Sequence, residues 1–436
     1  MVIAIFAFMV AQAAAGDTVA MSVADAVQRA RDMNPALRAE VAEARYASAT
    51  ALEATSAFLP SLRLEGQVTR TTDPVGAFGL KLRQGRFAGP DLQLDALNDP
   101  AAISGFSTAA TIELPILATE GLFGYAAAKR GAAARSAGAR RAGGATAFLA
   151  TRAYWDVQLA RRKVATLDAA FEAARAHREQ AEALRAQGLV TGLDARLADL
   201  RAAELEAQLV HATAESDNTV LRLRAFLALP VGVPLVLLDS LTDVVSAGCA
   251  DGACEAAHRA DLDALSLGVD AANLAVRRAW SSQLPQVAAF GVLSHSGRST
   301  FWGSGSGDWT LGIGVRWNVF PALGGIGGVR GARAARDAAE ARHEDARRNA
   351  DVEVQTARRL VDAASQGVGI ASRAHGEAAA ALDHARLRYR TGAAPITELL
   401  DVHAAATAAH LNLLAARHGL LVANAALELA HGVYDR

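Results

Sequence analysis

The chain's eleven prolines restrict its fold more tightly than any other feature, because of where they are missing. None falls between Pro115 and Pro230, between Pro321 and Pro395, or after Pro395. An internal proline removes a helical hydrogen bond and clashes with the preceding turn, so each proline-free interval can be continuous helix except where glycine interrupts it. The interruptions fall at Gly188 and Gly192, and at Gly392. From about Leu122 to Gln187 the pattern is helical over roughly 66 residues, near 100 Å at 1.5 Å per residue, and the same length recurs from about Gly327 to Thr391. Helices this long exceed what a globular domain holds and predict a coiled-coil-like assembly. Composition agrees, since 52% of residues are hydrophobic but only 5% aromatic, and much of the remainder is alanine, a strong helix former. A formal net charge of -1 supplies no field for nucleic acid, which is excluded as a partner.

The recurrence reflects an internal duplication. The stretch from Ala51 to Val68 lies on Val276 to Leu293, matching Ala54 to Ala279, Ser56 to Ser281, Leu59-Pro60 to Leu284-Pro285 and Gly66 to Gly291. Thr111 to Gly124 likewise lies on Gly314 to Gly327, matching Gly121 to Gly324 and Gly124 to Gly327. Each half then reads helix, strand, loop, strand, very long helix, glycine turn, helix. The expected organisation is a signal peptide over 1–15, a first repeat over 16–230, a mid-height linker over 231–260 and a second repeat over 261–436.

The strands alternate. Leu62, Leu64 and Val68 oppose Arg63, Glu65, Gln67 and Thr69; Phe106, Thr108, Ile112 and Leu114 oppose Ser107, Thr111 and Glu113. In the segment Trp309 to Phe320, Leu311, Ile313, Val315, Trp317 and Val319 oppose Thr310, Arg316 and Asn318. Pro285 to Ser296 alternates poorly and is assigned as a strand through the repeat alone, while Gly303 to Asp308 reads as a hairpin loop. About ten residues tilted by roughly 40° span some 25 Å, the height of an outer-membrane barrel's apolar band. Phe58, Phe106, Trp309, Trp317 and Phe320 suit its interfacial belts. A soluble sandwich with one wet face would need a second sheet, and none is evident.

Four strands cannot close a membrane barrel, because about eight is the observed minimum. An open sheet in lipid would leave two edges of unpaired backbone groups at several kcal/mol each. The barrel must therefore be shared: two copies give eight strands and three give twelve. A polar interior wide enough for solutes favours the larger number. Below it, each helix returning from a glycine turn stops partway, and the segments Asn34 to Ala57 and about 261 to 283 supply the missing length, so each subunit contributes four columns to a hollow helical tube. Gly124, Gly131 and Gly138, with the glycines of Leu323 to Gly331, would let helices approach closely where tube meets barrel.

The N-terminal apolar stretch is too short to span a bilayer and leads to Ala13 and Ala15, small residues of the kind a signal peptidase cuts, which predicts export. No cysteine follows that would carry a lipid anchor. Cys249 and Cys254 are the only cysteines, and in an oxidising compartment they are a candidate disulfide rather than a metal site.

Taken together, the stretch Ser22 to Gly66, the segment "ARLRYRTGAAPITELLDVHAA" and the duplicated layout resemble the TolC-like outer-membrane efflux proteins, over nearly all of the mature chain. The resemblance implies a homotrimer in outer-membrane lipid, with a shared 12-stranded β-barrel continued by a long periplasmic α-helical barrel. It also implies docking to a periplasmic adaptor and an inner-membrane pump. The function so implied is a passive exit duct for small molecules or metal ions; the alternatives are the exit duct of a type I protein secretion system, or a soluble periplasmic helical scaffold.

Both glycine turns would then be periplasmic tips, at Gly188 and Gly192 and at Gly392, with Asp194 and Glu398 each six residues past the turn glycine. Several carboxylates around one axis would favour cations and repel anions. The resemblance assigns Tyr389 and Asp194 to a network holding the aperture shut, and Glu398 and Asp401 to its constriction. Where the family's best-known member carries an arginine, two residues after the second glycine, this chain has Ala394. Plainer readings stand beside these: Glu398 and Asp401 as first-turn carboxylates favoured by the helix dipole, Tyr389 as a packing residue, Asp194 as a capping acid. No catalytic motif or cofactor site is present in the sequence, and His343, His403 and His410 are expected at helix surfaces.

Overall fold

The computed structural model describes residues 19–188, 190–230, 232–241, 259–320 and 322–435. The expected signal peptide and the Cys249–Cys254 pair lie outside these residues. In chain order the elements are β1 (Val19–Met21), α1 (Val23–Met33), α2 (Pro35–Glu53), β2 (Ser61–Thr71), α3 (Pro74–Arg83), α4 (Leu94–Asn98), β3 (Ile103–Leu117), α5 (Thr119–Ala186), α6 (Gly192–Phe226), β4 (Leu235–Leu237), α7 (Ala260–Ser281), β5 (Gln286–Gly297), β6 (Gly305–Arg316), α8 (Gly324–Arg390) and α9 (Ile396–Ala430). The proline-free intervals are indeed helix: α5 runs 68 residues and α8 runs 67, while α6 and α9 have 35 each. Contacts divide the chain into a strand-bearing unit (Ala44–Arg135 and Ala264–His343) and a helical unit made of the rest.

In the strand-bearing unit, β2, β3, β5 and β6 form one antiparallel sheet in that order, leaving β2 and β6 as edges. The register collects the alternating side chains into rows. Leu62, Ile112, Gly291 and Leu311 stand side by side on one face, as do Leu64, Ala110, Leu293 and Trp309. Arg63, Thr111, Val292 and Thr310 form a row on the other face, followed by Glu65, Ala109, Ser294 and Asp308. The apolar face is bare: Leu64 is 72% exposed and Ile313 70%.

Several sequence expectations change here. β6 begins at Gly305, so four of the six residues of the expected hairpin loop are strand; a Cβ at Gly305 would overlap the Ser296 carbonyl, and glycine is what this close pairing admits. β6 also ends at Arg316, and Trp317 leaves it to donate its indole N–H to the Gln283 carbonyl at 3.0 Å. β5 alternates poorly because Phe290 faces the polar side, where its ring covers Gly312, 2.6 Å from where a Cβ would sit. The connection between β2 and β3 carries α3 and α4 rather than plain loop. It is pinned by Gln84, whose buried amide donates to the carbonyls of Ser104 (2.8 Å) and Gly297 (3.2 Å). Of the glycines expected at close helix approaches, Gly124 has Arg278 beside the place of a Cβ, whereas within this one chain a Cβ at Gly131, Gly138, Gly324, Gly327, Gly328 or Gly331 would meet no neighbour within 4 Å.

The helical unit is knitted by a core of Ala150, Tyr154, Trp155, Val157, Leu223, Leu227, Leu414 and Leu421 with α1 and the parallel pair β1–β4. Tyr154 is fully buried; its hydroxyl donates to the Met21 carbonyl (3.1 Å) and accepts from the Asp239 N–H (3.0 Å). Burial first, and then Asp239 nearby, push this phenol up to about 12.

Two joints show how short helices continue the returning ones. Asn34 is 6% exposed, and its Oδ1 caps α2 by accepting from Ala36 (3.0 Å) and Leu37 (3.2 Å). Its Nδ2 donates to the Phe226 carbonyl at the end of α6 (3.1 Å). At the start of α7, Arg259 reaches the Ala430 carbonyl ending α9 (3.5 Å) and pairs with Asp261 and Glu353, both at 2.7 Å. Asp435 closes this joint, accepting from the Ala260 N–H (3.0 Å) and lying 3.5 Å from Arg141.

Candidate functional site

The two glycine turns lie in the helical unit. α5 ends in a turn whose last bond runs from the Gly188 N–H to the Arg185 carbonyl, 2.9 Å, with Gly188 at φ +73°. Nothing would crowd a Cβ there, so the left-handed backbone alone calls for glycine. Gly192 has no such role: it is simply the first residue of α6. Thr191 caps that helix in a reciprocal pair with Asp194. The Asp194 carboxylate accepts from the Thr191 N–H (2.9 Å) and hydroxyl (2.8 Å), and Thr191 Oγ1 accepts from the Asp194 N–H (3.3 Å).

At the second turn Gly392 takes φ +70° and its N–H donates to the Tyr389 carbonyl at 3.1 Å, before Pro395 starts α9. Arg388, in the last turn of α8, forms an ion pair with Glu398 in the first turn of α9 and also donates to the Ala393 carbonyl (3.4 Å). Its guanidinium therefore clips the turn to itself. Asp401 is exposed and makes no ion pair among the described residues.

A small apolar cluster of Ala181, Ala198, Ile396 and Leu400 fastens α5, α6 and α9 just above the turns, and Tyr389 of α8 packs on it. The Tyr389 hydroxyl is shielded from water with no partner among the described residues. Burial raises its pKa, and the negative charge of Asp194 adds to the rise. Tyr389 and Asp194 thus sit within electrostatic reach of each other, without a hydrogen bond between them. Four of the residues expected to act together are therefore gathered in one place, but two of them, Asp194 and Glu398, are engaged inside their own tip.

The sequence profile of the outer membrane efflux proteins matches residues 26–229 and 255–433, the two halves of the repeat. The chain belongs to that family. No curated protein matches it in sequence, but solved structures do so in fold. The outer membrane protein VceC of Vibrio cholerae superposes with TM-score 0.77 at 19% identity, over 94% of this chain and 96% of its own. The CmeC outer membrane channel of Campylobacter jejuni gives 0.79 at 15%, over 94% and 85%. The open state of the MtrE outer membrane channel of Neisseria gonorrhoeae gives 0.77 at 17%, over 94% and 88%. This is an outer-membrane efflux channel fold, not an enzyme.

Two features near the glycine turns escaped the sequence. Arg388 was hidden because only the turn brings it opposite Glu398, ten residues on. His403, expected at a helix surface, is buried at 5% exposure against His177. Its signal was the run of alanine and leucine around it on α9, which leaves that helix little polar face.

Proposed function

We propose that three copies of this chain form the exit duct of a tripartite efflux system, carrying small molecules or metal ions outward as a passive conduit. The supporting observation is the four-stranded sheet with two open edges and a bare apolar face. Neighbours in the sheet are antiparallel throughout, so β6 of one copy can pair with β2 of the next in the same sense, and twelve strands close without an edge. The polar rows led by Arg63 and Glu65 would line the lumen, and the leucine rows would face lipid. The helices of the three copies would build the periplasmic tunnel.

At its far end the tips form the gate. Asp401, exposed and without an ion pair among the described residues, projects from each copy as the constriction carboxylate, with Glu398 beside it and neutralised by Arg388. Tyr389 and Asp194 steady the closed arrangement. The loops at Gly188 and Gly392 would meet the periplasmic adaptor, through which the inner-membrane pump hands over cargo. Mass measurement of detergent-purified protein, with single-channel recording, tests the reading. A trimer with stable unitary conductance is expected; a monomer folded without detergent that opens no pore would refute it.

A further inference from the structure

Above the tips, four helices converge on a polar spot that the duct reading leaves unused. The His403 ring of α9 meets the His177 ring of α5 edge-on, with centroids 6.0 Å apart. His177 Nε2 is shielded from water and has no partner among the described residues. The charged groups facing the pair come from the other two helices. Arg386 of α8 and Arg201 of α6 act on His403, and Arg386 acts on His177 as well. Each arginine already holds a carboxylate of its own helix, Asp383 at 3.3 Å and Glu204 at 2.9 Å. The charges acting on the imidazoles are all positive. The same four helices are held together nearer the turns by Ala181, Ala198, Ile396 and Leu400 with Tyr389, so the imidazole contact and the tip cluster belong to one seam.

We infer that the His177–His403 contact is an acid-sensitive latch: proton binding loosens the seam between α8–α9 and α5–α6 and releases the tips. A proton on either ring would place a cation against a second imidazole and the Arg386 guanidinium, joined at His403 by Arg201, while the nearby carboxylates Asp383 and Glu204 are already held by those arginines. Burial, and then His177, Arg386 and Arg201, hold His403 down to about 4 from its ordinary 6.5; burial, and then Arg386, lower His177 as well. Both rings are therefore neutral at neutral pH. A group whose pKa is depressed in the closed seam favours closure fully above its free value of 6.5 and loses that contribution as pH falls toward 4. If the released tip restores the free value to His403, the closed-to-open ratio falls about tenfold between pH 7.5 and 5.5.

The inference rests on the tips being the gate, and one experiment separates the two. Full-length trimer in planar bilayers is recorded at pH 7.5 and 5.5 under constant salt. Wild type should gain about tenfold in open-to-closed ratio on acidification, and His403→Phe, which keeps a ring in the seam, less than about twofold. Arg386→Met leaves both imidazoles in place and should shrink the acid response, because it relieves the closed-state depression. A conducting channel whose ratio ignores pH, or a His403→Phe channel that keeps the full response, overturns the latch and leaves the duct standing. A chain that conducts at neither pH overturns the duct, and the latch with it.

Discussion

Replacing Asn34 tests whether one side chain truly joins α2 to α6. In Asn34→Ala the two N–H groups of Ala36 and Leu37 lose their cap, which costs about 1 kcal/mol. The Phe226 carbonyl also loses its donor at a site 6% exposed, adding about 1–2 kcal/mol for an unsatisfied buried acceptor. The joint should thus weaken by about 2–3 kcal/mol, which raises local opening roughly 30- to 150-fold. Asn34→Ser keeps a capping oxygen but cannot reach Phe226, so it should restore about 1 kcal/mol. Hydrogen exchange of the full-length protein in detergent reads both ends separately. In the alanine variant, amides in the first turn of α2 and the last turn of α6 should both exchange faster; in the serine variant, mainly the second. If Asn34→Ala loosens α2 alone, the two helices are not joined by this residue and the reasoning fails.

Three further outcomes follow from the packing. Tyr154→Phe preserves the ring but strands the Met21 carbonyl and the Asp239 N–H, and thermal unfolding should register a loss of about 1–3 kcal/mol; an unchanged midpoint would mean that water replaces the hydroxyl. Gly144→Ala drives a methyl into the Asp435 carboxylate, whose side chain is 2% exposed and tethered by Ala260 and Arg141, costing about 1–3 kcal/mol, and Asp435→Gly in the same chain should recover part of it. Asp401→Ala should raise anion permeability in single-channel recordings, and Arg388→Gln, by freeing Glu398, should lower it; unchanged ion selectivity in both would remove these residues from the constriction.

The long helices were legible because proline absence is a local, nearly binary signal, and the strands because a half-buried ribbon writes its two faces at period two. What escaped was decided by partners far along the chain. β5 looked irregular until Gly312 appeared beneath Phe290, and the Gly303–Asp308 stretch read as loop because composition cannot see the Ser296 carbonyl that demands glycine opposite it. The duplication, by contrast, was visible because Leu59-Pro60 and Leu284-Pro285 recur immediately before β2 and β5. At the two glycine turns, position along the chain pointed to Asp194 and Glu398 but not to their engagements. Asp194 is consumed by Thr191, and Glu398 by Arg388, an arginine six residues earlier than Ala394, where the family resemblance would look for one.

The Arg388–Glu398 clip closes within a single polypeptide. A tip tied to itself keeps its stiffness whatever its neighbours carry, so assemblies mixing intact and clip-deficient copies should behave in proportion to dose, one-third and two-thirds mixtures falling on a graded scale rather than a threshold.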